Sequence, residues 1–70
     1  SRKGYQTKMR SVVVAYNGKR YTGTLVTVDH QNNTVGVDLS IDGKMSEQFT
    51  FDLDEVLQLN PKLRGKPLAR

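Results

Sequence analysis

Apolar and polar positions alternate through most of the chain between residues 11 and 60, at the period of two that marks half-buried strands. Thr34 to Ile41 is the clearest case. Val35, Val37, Leu39 and Ile41 fall on one face, and Thr34, Gly36, Asp38 and Ser40 on the other. Lys44 to Phe51 alternates again, with Met45, Phe49 and Phe51 on one face and Glu47 as the exception on it. Ser11 to Tyr16 is β-rich, with three valines in succession, and Lys19 to Asp29 is an unusually long second strand. Asn17-Gly18 and Asp42-Gly43 are hairpin turn pairs, because a type I′ turn needs positive φ at both central residues. His30 to Asn33 is a polar turn. Asp52 to Glu55 reads as one tight helical turn, and Val56 to Leu59 as a short last strand ended by Asn60-Pro61.

Five strands in so short a span predict a small closed all-β barrel of SH3-like, Sm-like type, with one short 3-10 turn before the last strand. Closure removes exposed sheet edges. The long second strand must bend to serve both halves of such a barrel. Gly23 is placed at that bend, where a β-carbon would crowd the fold. The expected core is Val12, Val14, Tyr21, Leu25, Val28, Val35, Val37, Leu39, Ile41, Phe49, Phe51, Val56 and Leu59.

Seventy residues make one domain at most, with a thin core. No cysteine is present, so no disulfide or thiolate metal site supplements that core, in keeping with a reducing, intracellular setting in cytoplasm or nucleus. No apolar run approaches a membrane span, and no signal peptide is visible. The chain opens on Ser1, and is expected to be a domain of a longer protein or to begin with a tag remnant.

The net charge of +4 is unevenly distributed. Residues 1–10 form a basic arm with Arg2, Lys3, Lys8 and Arg10. Residues 61–70 form a basic tail with Lys62, Arg64, Lys66 and Arg70. The body, 11–60, holds Lys19, Arg20 and Lys44 against Asp29, Asp38, Asp42, Glu47, Asp52, Asp54 and Glu55. Basic arms attract nucleic-acid phosphates without sequence preference, or serve as solvated linkers.

One stretch resembles a known family. Gly18-Lys19-Arg20-Tyr21-Thr22-Gly23-Thr24-Leu25, then Val28-Asp29, then Asn33, is similar to the first signature of the Sm-like (Lsm) fold: a glycine turn, an aromatic, a bend glycine, a leucine, an aspartate and, four residues later, an asparagine. The second signature, an arginine-glycine pair before the last strand, is missing. Phe49 to Leu59 is more similar to the divergent Sm-like domains of mRNA-decapping and translational-repression proteins. The resemblance implies a domain that is monomeric or weakly self-associating and binds short peptide motifs or single-stranded RNA. It makes Asn33 the base-reading residue. The segment is also similar to Tudor and chromo-barrel domains, which implies a histone tail as ligand.

Catalysis is not expected. One histidine and seven scattered acids assemble no nucleophile, base and orienter, and neither a metal nor another cofactor has a ligand set. Three binding sites remain. The nucleic-acid contact set is Arg2, Lys3, Lys8, Arg10, Lys19, Arg20 and Asn33. The aromatic pocket is Tyr16, Tyr21, Phe49 and Phe51, completed by Asp29 or Asp52, which suits a cation over ring faces. There Tyr21 is expected to be buried and Tyr16 partly exposed. The third is a strand edge, with Ser46, Gln48 and Thr50 facing outward. The leading expectation is a non-enzymatic, protein- or RNA-associated adaptor in ribonucleoprotein assembly or mRNA turnover. The alternatives are a Tudor-like reader of methylated histone tails and a dimerisation barrel of a DNA-binding protein.

Overall fold

The computed structural model describes residues 10–64. Four antiparallel strands form one open sheet in sequence order: β1 Arg10–Tyr16, β2 Lys19–Asp29, β3 Thr34–Leu39 and β4 Glu47–Asp52. A helix, α1 Leu53–Leu59, and a 3-10 turn, Pro61–Leu63, follow. The expected five-stranded closed barrel is therefore replaced by a four-stranded sheet and a helix.

The correction lies in Val56–Leu59, which continues the turn begun at Asp52 rather than forming a strand. The Asp52 carboxylate accepts a hydrogen bond from the Glu55 N–H at 3.1 Å, capping the helix N-terminus, and Asp54 and Glu55 favour its first turn. Leu53, Val56 and Leu57 then recur at helical spacing. Leu53 and Val56 are buried and Leu57 packs beside them. The 3-10 turn comes after this helix, started by Pro61.

Alternation holds within β3 and β4, but the fourth strand begins at Glu47 and not at Lys44: Lys44, Met45 and Ser46 belong to the loop after Leu39, and Met45 is exposed instead of joining Phe49 and Phe51. Val12, Val14, Val28, Val35, Val37 and Leu39 are buried on one face together with Leu53 and Val56. Tyr21, Leu25, Ile41, Phe49, Phe51, Leu57 and Leu63 pack around them, half-buried. Leu53 joins the core unforeseen, and Leu59 stays outside it. Each buried aliphatic side chain contributes about 1.5–3 kcal/mol, and with eight of them the core is thin. The turns behave as their residues require. Asn17 and Gly18 have φ of 51° and 76°, and Asp42 and Gly43 of 54° and 75°.

The sheet is strongly curled. Tyr16 and Phe49 sit on the two edge strands, three inter-strand steps of ~4.8 Å apart on a flat sheet, yet their ring centroids are 5.0 Å apart. Two features of β2 produce the curl. A β-carbon on Gly23 would lie 2.4 Å from Leu39 Cδ2, 2.5 Å from the Asp38 carbonyl oxygen and 2.7 Å from Val37 Cγ1, so only glycine allows β3 to cross there. Three residues on, Val26 is a bulge without a partner on β3, and such a bulge bends its strand.

Curling brings β1 and β4 to face one another across a seam, the place a fifth strand would take in a closed barrel. Its lower half, beside the start of β1 and the end of β4, is filled by α1, which packs on β1, β3 and β4. Asn60, just beyond the helix, finishes the closure. Its Oδ1 accepts from the Val13 N–H and its Nδ2 donates to the Val13 carbonyl, both at 2.8 Å. One side-chain amide thus supplies the pair of bonds a neighbouring strand would give. Its Nδ2 also reaches the Val56 carbonyl at 2.7 Å, tying helix to strand.

Candidate functional site

The upper half of the seam is left open. There a cleft of about 260 Å³ is lined by Tyr16, Asn17, Leu39, Ile41, Lys44, Met45, Glu47 and Phe49. The local sequence explains each wall. Tyr16 is the last residue of β1, carried to the rim by the Asn17-Gly18 turn. Phe49 and Glu47 share the inward face of β4, opposite Val37 and Leu39 of β3. Leu39 is buried and forms the floor. The connection from β3 to β4 tightens at Asp42-Gly43, where the Lys44 N–H bonds the Ile41 carbonyl at 3.0 Å. The Ser40 hydroxyl donates to the Lys44 carbonyl in the same loop. This loop holds Met45 over the cleft with 89% of its surface exposed.

The rings form a graded cluster. Phe49 meets Tyr16 edge-on at 61° between planes, Tyr16 meets Tyr21 at 6.4 Å, and Phe49 meets Phe51 at 6.5 Å. The two contacts of Tyr16 are edge-to-face and favourable in themselves, and the Phe49–Phe51 pair is tilted at 34°. All four rings are half-buried, so Tyr21 is less enclosed than expected and matches Tyr16. Tyr16 and Phe49 line the cleft, whereas Tyr21 and Phe51 are not among its lining residues.

Neither expected acid is at this site. Asp29 ends β2, at the far end of the strand from Lys19, the residue paired with Tyr16. Its carboxylate accepts from the Asn32 N–H at 3.1 Å and the Asn32 side-chain amide at 2.8 Å. These bonds favour the ionised form and hold the Asp29 pKa below the ordinary carboxylate value. Asp52 is spent on the helix cap. The acid at the cleft is Glu47, and Lys44 is also among its lining residues. Sequence reasoning passed over Glu47, although its place on an apolar strand face was the signal. Met45, expected on the apolar face of the fourth strand, lies instead in the loop before it and lines the cleft.

The nucleic-acid set is dispersed. Arg2, Lys3 and Lys8 lie outside the described residues. Arg10 opens β1 at the lower end, while Lys19 and Arg20 are exposed at the upper start of β2. Asn33 has a φ of 58° and a structural task. Its carbonyl accepts from the Leu53 N–H at 2.9 Å, and its side-chain amide donates to Asp54 Oδ2 at 3.1 Å. It fastens the turn after β2 to the start of α1.

Among the described residues no group of three or more His, Cys, Asp or Glu side chains is placed to hold a metal ion. A second hollow, about 310 Å³, lies beside α1, lined by Asp54, Leu57, Gln58 and Arg64, without an aromatic wall. No helix among the described residues is long and apolar enough to cross a membrane. Neither a protein-family model, nor a curated protein, nor a solved structure matches this chain.

Proposed function

We propose that this chain is a non-enzymatic interaction module that takes a side chain of a partner protein into the cleft of the seam, as a protein-binding adaptor in ribonucleoprotein assembly or mRNA turnover would. One observation carries the reading. The lower seam is closed by the chain itself, whereas the upper seam leaves two aromatic rings half-exposed beneath a methionine that is almost wholly exposed. Methionine and aromatics adapt to varied apolar side chains, which suits a peptide ligand. The likeness of Gly18–Asn33 to the first Sm signature agrees with this role, since divergent domains of that family include peptide binders. RNA reading through Asn33 is less favoured, because its amide is already bonded to Asp54. The test is a titration with a library of short peptides, followed by nuclear magnetic resonance. Binders are expected to move the ring signals of Tyr16 and Phe49, and Tyr16→Ala to abolish the effect. Binders that leave both rings unmoved would overturn the reading.

The Tudor-type alternative gains from the position of Glu47, which puts a carboxylate beside two rings, the pairing that attracts an alkylammonium group. Matched peptides carrying lysine or trimethyl-lysine separate the two. Preference for the methylated form selects the reader, and equal binding the adaptor.

A further inference from the structure

The hydrogen-bond phase of the sheet distinguishes its two edges. The two-residue turn makes Tyr16 and Lys19 a hydrogen-bonded pair, so Val12 and Val14 also bond inward, to Gly23 and Tyr21. Val13 then points its N–H and C=O away from the sheet, which is where Asn60 meets them. Continuing across, Thr24 bonds Asp38, so Val37 bonds Phe49 on the far side of β3. Gln48 and Thr50 therefore point their backbone groups outward from β4. Among the described residues neither makes a backbone bond beyond the sheet. Among the described residues the β1 edge is plugged at its centre and the β4 edge has no partner, and that edge borders the cleft.

Charge is divided in the same way. The β1–β2 hairpin, residues 10–29, carries Arg10, Lys19 and Arg20 against Asp29 alone. The β3, β4 and α1 portion, residues 34–59, carries six acids against Lys44 alone. Asp38 stands directly across from Gln48, and Glu47 lies on the cleft side of the same strand.

We propose that the outer edge of β4 accepts an extended, basic segment of a partner protein as an added strand, hydrogen-bonded to Gln48 and Thr50, with one large apolar side chain in the cleft. This deepens the reading of the cleft as a peptide site and rests on it. Strand addition draws its affinity from main-chain bonds and its selectivity from alternate side chains. The curl of the sheet and the acidic flank select the pattern: lysine or arginine on both sides of an apolar residue, all on the face that alternation directs toward the cleft and Glu47.

The probe is a capped nine-residue peptide with phenylalanine at its centre, lysines at its first, third, seventh and ninth positions, and threonines between. Titrated into the chain, it is expected to slow hydrogen exchange at the Gln48 and Thr50 amides and to move the Tyr16 and Phe49 rings. A version with glutamate for lysine should bind at least about tenfold more weakly. Two further versions carry backbone N-methyl groups, one on odd and one on even positions. An added strand turns only one alternate set of N–H groups to β4, so one version should lose at least about tenfold and the other should bind like the parent. Equal binding by both N-methylated versions, with the rings still moving, overturns strand addition and leaves the cleft reading standing. Protected Gln48 and Thr50 amides with unmoved rings would show a strand added without the cleft, which overturns the cleft reading and with it the proposed seating of the apolar side chain. A glutamate peptide that binds as well as the lysine one, or no binding of the lysine peptide, overturns the proposal.

Discussion

The two ends of the seam between β1 and β4 solve one problem in opposite ways. At the lower end a helix is capped, anchored and bonded to both neighbours. Asn60 satisfies the Val13 backbone, Asn33 holds Leu53 and Asp54, and Asp52 caps the first turn. At the upper end the same gap is lined by half-buried rings, an exposed methionine and a lone pair of opposite charges. Every polar side chain named at the lower end has an internal partner. The difference teaches where to seek function. A region whose groups are spent on one another supports the fold, and a region whose apolar groups are left half-covered is available to a partner.

The contrast depends on the curl, and the largest effect is expected where the curl is made. Gly23→Val puts a branched side chain against the Asp38 carbonyl oxygen and two core side chains, and a main-chain carbonyl cannot swing aside. The expected cost is about 3 kcal/mol, a large share of the ~4–10 kcal/mol typical for a chain of this length. Chemical denaturation reads it directly. An unchanged midpoint would remove the physical basis for a seam. Gly36→Ala is the milder comparison, because its added carbon meets side chains only: the Gln48 amide, which can swing away, and Thr27 Oγ1 at 2.8 Å, which must shift, with no main-chain atom in the way.

The next effect belongs to the lower end alone. Asn60→Ala leaves the Val13 N–H and C=O and the Val56 carbonyl without their side-chain partner. These groups are part-buried, and the expected loss is about 2 kcal/mol. Hydrogen exchange should quicken at Val13 and through α1, while ligand contacts at Tyr16 and Phe49 persist at temperatures where the variant stays folded. A variant as stable as the parent would mean that Asn60 does not close the seam.

Much of this architecture is legible from residue pattern, and the failures have a common cause. Alternation locates β3 and most of β4, while β-rich composition and the Asn17-Gly18 turn locate β1 and β2, and β2 runs from Lys19 to Asp29 as expected. Val12 and Val14, rather than Val13, face the core as expected, although three adjacent valines give no periodic signal. Val56–Leu59 alone has the composition of a short strand, and only with its cap does it read as helix. Taken together, Asp52, Leu53, Val56 and Leu57 carry a helical signal, but seven residues are too few to be helical without tertiary anchors. Those anchors join residues far apart in sequence, as Asn60 joins Val13 and Asn33 joins Asp54. No local window contains them. Charge alone suggests Asp29 as the acid beside the rings, yet it lies ten residues beyond Lys19 along β2, roughly 30 Å of extended chain from the Tyr16 end. Glu47 could be found by register, since its pairing with Leu39 fixes it at the rim.

A smaller effect on stability is expected at the upper end. Tyr16→Ala removes an edge-to-face contact at 5.0 Å with Phe49 and a looser one with Tyr21, from a position already half-exposed. The cost is expected to be about 1 kcal/mol, with binding of the cleft ligand lost altogether. Thermal melts and peptide titration of this variant and of Asn60→Ala should separate: one loses more stability than binding, the other more binding than stability. Matching losses in both variants would erase the distinction between the two ends.

The smallest effect lies in the turn between β2 and β3, which belongs to neither wall of the cleft. Two bonds from Asn32 stabilise the Asp29 carboxylate, and His30 adds a minor attraction when charged. Because the folded-state pKa is lowered, the contribution of Asp29 to stability is present above the ordinary carboxylate pKa and fades as pH falls through the folded value. Asn32→Ala deletes the side-chain bond, the largest of these influences, and keeps the backbone one. The Asp29 pKa should therefore rise part of the way toward its ordinary value, as followed by carboxyl chemical shift against pH. Binding of the cleft ligand should not change, since the turn stands at the opposite end of β2 from the Tyr16 rim. An unmoved titration would show that the side-chain bond does not hold the carboxylate. Altered binding would mean that the turn communicates with the upper seam, a coupling that the separate anchoring of the two ends argues against.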